Sequence, residues 1–178
     1  MENKPKKTIG LLLISNGLYD QFLQPLITSV DTHFFKDDSI IIYLFGDKDY
    51  YQLKLPSRIS LIVIPTKRQP WPASTLFRYR FFVNAKDKMS PCDVLVYSDV
   101  DMIMVGDITD EVLFKDGKEV NVAVTRHPGF YNNSEWGSQN VHRASNAYLE
   151  DNEKERYVAG GFNLGKRDSF LEMSRILA

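Results

Sequence analysis

Four short, nearly continuous apolar runs constrain this chain most: Ile9–Ile14, Ile40–Phe45, Ile59–Ile64 and Val94–Tyr97. A strand with one wet face alternates apolar and polar side chains, whereas a strand covered on both faces is apolar throughout. The runs therefore predict buried strands of a largely parallel sheet. Parallel neighbours need crossovers, and the intervening segments supply helical ones. From Tyr19, apolar residues recur at Phe22, Leu23, Leu26, Ile27, Val30 and Phe34, one helical face preceded by the turn Ser15-Asn16-Gly17, with Pro25 shifting or kinking its start.

Between Trp71-Pro72 and Lys88, Ser74 is placed to cap a helix whose apolar side carries Leu76, Tyr79, Phe82 and Val83. Further on, Val122–Thr125 reads as another strand and residues 129–156 as a long polar excursion. Ser169 with Glu172 reads as a capping box opening the last helix. No repeat, linker or low-complexity segment divides the chain, so a single α/β domain over residues 1–178 is expected.

Composition narrows the partners. A net charge of -1 gives no basic excess of the kind nucleic acid requires, so any phosphate bound is small and local. Cys92 is the single cysteine, which rules out an intrachain disulfide and a multi-cysteine zinc site. The first apolar run is too short to cross a bilayer and lacks a leader cleavage pattern.

The fourth run ends in Tyr97-Ser98-Asp99-Val100-Asp101-Met102. Open α/β sheets bind ligands at the carboxyl ends of their strands, where this pair of acids emerges. In extended chain the two side chains share a face, and hard oxygen ligands suit manganese or magnesium. Such an ion, held by one or two carboxylates, neutralises a departing diphosphate. An Asp-x-Asp can also be an ordinary polar strand end. Its position after a buried strand and before apolar Met102, Ile103 and Met104 argues for a partner. A phosphohydrolase with a nucleophilic first aspartate is the rival, but there the motif follows the first strand.

Taken in order, IGLLLISNGLYDQFLQPLITSVDTHFF, IIYLFGD, YSDVDM, HPGFY, SNAYL and YVAGGF resemble glycosyltransferase family 6. That family includes the histo-blood group A and B transferases and the α-1,3-galactosyltransferases, and the likeness covers most of the chain. It implies a GT-A fold, a Rossmann-like mixed sheet flanked by helices. It also implies retaining transfer of galactose or N-acetylgalactosamine from a UDP-sugar to the 3-hydroxyl of a β-galactoside, with manganese or magnesium as cofactor.

By the family pattern Ile14, Ser15, Asn16 and Tyr19 surround the uridine, although Tyr19 could equally begin the helix's core face. Asp99, Val100 and Asp101 bind the donor, the two aspartates through the metal. Arg78, seven residues after Trp71, falls where an arginine contacts the phosphates, with Arg80 as competitor. His127 would touch the acceptor galactose, and Phe130 and Tyr131 could offer it an apolar face. Ala159, Gly160 and Gly161 correspond to the segment lining the donor sugar, and the small residues favour N-acetylgalactosamine. The alternative for this segment is a glycine turn before the last helix.

The family's later acidic motif, which carries the catalytic glutamate, has no counterpart before Ala178, and Glu150, Asp151, Glu153 and Glu155 read as a solvated loop rather than a substitute. The catalytic residue is therefore unassigned. A C-terminally shortened domain with weak turnover, or a non-catalytic UDP-sugar or glycan-binding module, is the expectation that follows. A GT-A transferase of different sugar specificity remains a further alternative. The start of the chain suggests a soluble, cytoplasmic bacterial or phage member.

Overall fold

The computed structural model describes residues 5–70, 72–130, 142–144, 148 and 157–178. Trp71, Tyr131, Glu150, Asp151, Glu153, Glu155 and most of the polar excursion lie outside the described residues, as does the side chain of Phe130. The described chain forms a mixed sheet flanked by helices.

All four apolar runs are strands: β1 (Thr8–Ile14), β2 (Ser39–Gly46), β3 (Ile59–Pro65) and β4 (Val94–Ser98). They pair in parallel, β3 on β2, β2 on β1 and β1 on β4. Two later strands, β7 (Val122–Arg126) and β8 (Val158–Lys166), extend the sheet, while β5 (Phe114–Lys115) and β6 (Lys118–Glu119) form a small separate ribbon. The six-strand order is β3-β2-β1-β4-β8-β7, with β8 antiparallel to both neighbours.

Alternate residues of the strands feed two cores, which is why the runs are almost wholly apolar; Ser60, the exception, is exposed on the edge strand β3. Leu11, Leu13, Ile42, Leu44 and Val96 pack against Leu23, Leu26, Ile27 and Val30 of α1 (Leu23–His33). Leu12, Tyr43, Phe45, Leu95 and Tyr97 face the other way, onto Phe82 of α3 (Arg78–Asn84) and Phe170 of α4 (Arg167–Leu177). Each such side chain stabilises the fold by about 1.5–3 kcal/mol.

The C-terminal end of α1 is held by Arg58, the residue before β3. Its Nη2 donates to the carbonyls of Val30 (2.7 Å), Asp31 (3.0 Å) and Phe34 (3.1 Å), its Nη1 to those of Phe35 and Asp38, and its Nε to the Asp31 carboxylate (2.9 Å). A guanidinium thus takes the carbonyls that every helix end leaves open.

Several expectations are corrected. Residues 17–22 form a 3-10 turn, and α1 proper begins at Leu23, which puts Pro25 in the first turn where its missing N–H costs nothing. The helix expected between Pro72 and Lys88 is broken into α2 (Ala73–Leu76), α3 and a 3-10 turn. Ser74 lies inside α2 and caps nothing, and Leu76 is exposed, because the buried face of α3 is carried by Arg78 and Phe82. Ser169 and Glu172 form no capping box, since β8 passes directly into α4 at Arg167. Gly160 and Gly161 sit within β8, so the segment is a strand rather than a turn.

Candidate functional site: a cleft at the switch point of the sheet

From β1 the chain moves outward through α1 to β2 and β3, then returns past α3 to lay β4 on the other side of β1. The carboxyl ends of β1 and β4 therefore border a crevice, the position where open α/β sheets take their ligands. A cavity of about 500 Å³ opens there. One wall is Ile14, Asn16, Leu18 and Tyr19 after β1, the floor is Tyr97, Asp99, Val100 and Asp101, and the opposite wall runs from Arg68 through Ser74 and Thr75 to Arg78.

The wall after β1 is braced from behind. Ser15 is buried, and its Oγ donates to Asp20 Oδ1 at 2.5 Å. Lys48 Nζ lies 2.5 Å from the other oxygen, and this contact raises the lysine pKa. Gly17, with φ of +61°, turns the chain, and Leu18 and Tyr19 are left exposed at 84% and 52%. Tyr19 thus faces the cleft and not the core, which removes the core-face alternative for it.

Arg78 is buried under the opposite wall. Its Nε donates to Thr75 O (2.9 Å) and its Nη1 to Gly160 O (2.6 Å), Nη1 lies 3.8 Å from Asp99 Oδ1, and the guanidinium stacks 4.8 Å over the Tyr97 ring. Among the described residues Nη2 has no hydrogen-bond partner, so two N–H groups of a fixed cation are left to the cleft. Arg80 points elsewhere, donating to Ala178 O at the end of α4 and lying over Phe77. Burial separates the two arginines that spacing left open.

Asp99 is held on three sides. Tyr97 Oη donates to its Oδ1, its own N–H donates to Gly161 O (2.8 Å), and a Cβ at Gly161 would lie 2.6 Å from its Oδ2. Burial first, then the Asp99 charge, pushes the Tyr97 phenol well above its ordinary value, so it stays a proton donor. Asp101 lies at the rim and is exposed, so the cost of burial expected for it does not arise; Ile103 is exposed as well, and within this segment Val100 and Met104 supply the core contacts. The segment is pinned to α1 by Met104 N–H to Ser29 Oγ (3.0 Å) and Ile108 N–H to His33 O (2.8 Å).

Among the described residues no cluster of three or more histidine, cysteine or acidic side chains forms a complete metal cage. The donor set fits an ion nonetheless. Two carboxylates border one cavity, and Asp99 Oδ2 has no hydrogen bond or ion pair among the described residues. That matches ions bound by one or two carboxylates plus substrate phosphates.

Ala159 is half-buried on β8, on the same face as Gly161 by strand alternation. His127 lies outside the cavity lining. Its Nδ1 accepts from Gly129 N–H (3.1 Å), its backbone N–H donates to Tyr157 O (3.0 Å), and its ring leans on Tyr157. Because β8 is antiparallel to both neighbours, β7 runs with β4, and His127 emerges at the same end of the sheet as Asp99.

Sequence reasoning missed Arg68, Tyr97 and the Ser74–Thr75 stretch of α2 among the residues lining the cleft. Tyr97 lies two residues before Asp99 and so shares its face, a signal present in the alternation itself. Arg68 follows β3 on the ligand-binding end, so the switch-point rule alone could have flagged it.

A mixed α/β sheet with a carboxylate pair and a buried arginine at its switch point is the frame of a GT-A-like glycosyltransferase. The family model described as glycosyltransferase family 6 matches residues 1–177, and the chain belongs to that family. The chain is also similar to the O-antigen biosynthesis glycosyltransferase WbnI of Escherichia coli, 26% identical over 172 residues that cover 94% of this chain and 70% of the relative. No helix among the described residues is long and apolar enough to cross a membrane.

Proposed function

We propose that the cleft binds a UDP-sugar and that the protein transfers galactose or N-acetylgalactosamine, with retention, to the 3-hydroxyl of a β-galactoside in a bacterial or phage-encoded glycan pathway of the cytoplasm. The observation that carries this reading is the meeting of Asp99, Asp101 and Arg78 with exposed Tyr19 in one cavity at the switch point.

Tyr19 offers a ring to the uracil, and Ile14 and Asn16 line the nucleoside end with Ser15 bracing them from behind. Arg78, anchored by Thr75 and Gly160, presents Nη2 to the diphosphate as a cation that needs no reorganisation. Asp99 and Asp101 would hold Mn2+ or Mg2+, which when bound supplies the positive charge that stabilises departing UDP. Ala159, Gly160 and Gly161 edge the sugar site with little side-chain volume, which favours an acetamido-bearing donor. His127 and Phe130, at the same end of the sheet, are assigned to the acceptor galactose.

The test incubates the protein with UDP-galactose or UDP-N-acetylgalactosamine, Mn2+ and a β-galactoside, following UDP release and the disaccharide linkage. Acceptor-dependent release, lost in Asp99→Asn and Asp101→Asn and faster with the acetamido sugar, is expected. Tight UDP binding without acceptor-dependent release would instead identify a binding module.

A further inference from the structure

We infer that Tyr97 is a positioning residue for the carboxylate that would hold the cation: its hydroxyl occupies one oxygen of Asp99, so that the other alone is offered to a divalent ion. This rests on the donor-site reading above and deepens it.

Tyr97 and Asp99 are two residues apart at the end of β4 and point to one face. The phenol ring cannot turn away. It is 4% exposed, wedged between Phe82, at 5.4 Å, and the Arg78 guanidinium, at 4.8 Å. Its hydroxyl donates to Asp99 Oδ1, the oxygen that also lies 3.8 Å from Arg78 Nη1. From the opposite side Gly161 approaches so closely that its missing Cβ is what leaves room for Oδ2. Oδ1 is thus engaged by the protein, and Oδ2 has no hydrogen bond or ion pair among the described residues. The carboxylate is fixed to act through a single oxygen, in one orientation.

A purely structural role would predict something else. The Asp99 side chain is 41% exposed, and a carboxylate with that access to water needs no internal donor for its own solvation. The bond's specific consequence is orientation, and groups that orient a ligating carboxylate through hydrogen bonds govern metal affinity.

The experiment titrates Mn2+ at fixed UDP, reading free Mn2+ by electron paramagnetic resonance, for the wild-type chain, Tyr97→Phe and Tyr79→Phe. Tyr97→Phe keeps the ring and its stack with Arg78 and removes only the hydroxyl. We expect its Mn2+ affinity to fall about 10- to 100-fold, with the unfolding midpoint preserved. Tyr79→Phe, a hydroxyl deletion in the same aromatic cluster but outside the cleft lining, should match the wild type. Gly161→Ala presses on the same carboxylate from the other side and should weaken Mn2+ binding as well. Wild-type affinity in Tyr97→Phe overturns the inference and leaves the donor site standing. A wild-type chain that takes up no Mn2+ with UDP overturns both.

Discussion

Replacing Gly161 by alanine tests how tightly β8 fixes the site. The new methyl would lie 2.6 Å from Asp99 Oδ2, 3.4 Å from its Cγ and 3.8 Å from Met102 Sδ. Ordinary contact begins at 3.4 Å, so Oδ2 must withdraw by about 0.8 Å, the gap between 2.6 and 3.4 Å. A shift of that size lengthens and misaligns the hydrogen bond from Tyr97 to Oδ1, and its complete loss sets the upper limit of the effect. A hydrogen bond to a charged group contributes about 1.5–3 kcal/mol, which is about 10- to 150-fold in Kd. The fold itself should suffer little, because alanine is favoured over glycine in a strand by about 0.5–1 kcal/mol. Calorimetric titration of UDP in the presence of Mn2+, beside thermal unfolding, separates the two effects. If Gly161→Ala acts through the Tyr97 bond, combining it with Tyr97→Phe adds little further loss. Undiminished affinity in Gly161→Ala would refute the claim that β8 locks this carboxylate.

Three other outcomes are expected. Arg58→Ala strips the carbonyls at the end of α1 of their donor and should lower unfolding stability by about 2–4 kcal/mol in urea, with Arg58→Lys recovering only part; a loss within experimental error would show that water replaces the guanidinium. Arg78→Ala should weaken UDP binding at least about 30-fold, as truncation of a buried hydrogen-bonded charge does, while Arg80→Ala leaves the calorimetric Kd unchanged; equal losses would reopen the choice between them. Burial, reinforced by the Cys92 contact, raises the Tyr43 phenol, and its hydroxyl donates to Lys88 O at 2.8 Å. A raised folded pKa stabilises the fold below the unfolded value of about 10, and that stability is lost as pH climbs through and beyond it. Urea midpoints should therefore drop between neutral pH and the alkaline range, and less so in Tyr43→Phe; parallel drops would exclude this phenol as a source.

The four parallel strands were legible because burial on both faces leaves a signature along the run, as in Ile40–Phe45, whereas the switch point depends on the spatial strand order, which no run encodes. The carboxylate pair was legible for the same reason, since it terminates a run. Helix detail was not. The stretch around Phe77 carries apolar residues at helical spacing, yet Arg78 must turn inward to reach Thr75 O and Gly160 O, and the helix breaks to allow it. Ser169 looked like a cap because propensity is local, whereas α4 starts where β8 ends its pairing with β4 at Lys166. Position 161 was read as sugar-lining, and its closeness to Asp99 depends on a pairing between segments some 60 residues apart. No local pattern encodes that.

The reversed course of β8 also imposes an order in time. Residues 8–98 already contain the parallel strands, α1 and α3, so much of both cores lies in the first part of the chain to be synthesised. Gly160 O, which anchors Arg78, and Gly161 O, which holds the Asp99 amide, come from a strand made much later. During N-terminal-first synthesis the cleft walls can thus assemble before their charged groups are set. The charged groups of the cleft are set only when β8 enters the gap beside β4, so an incomplete nascent chain would hold the cleft walls without a fixed Arg78 or Asp99.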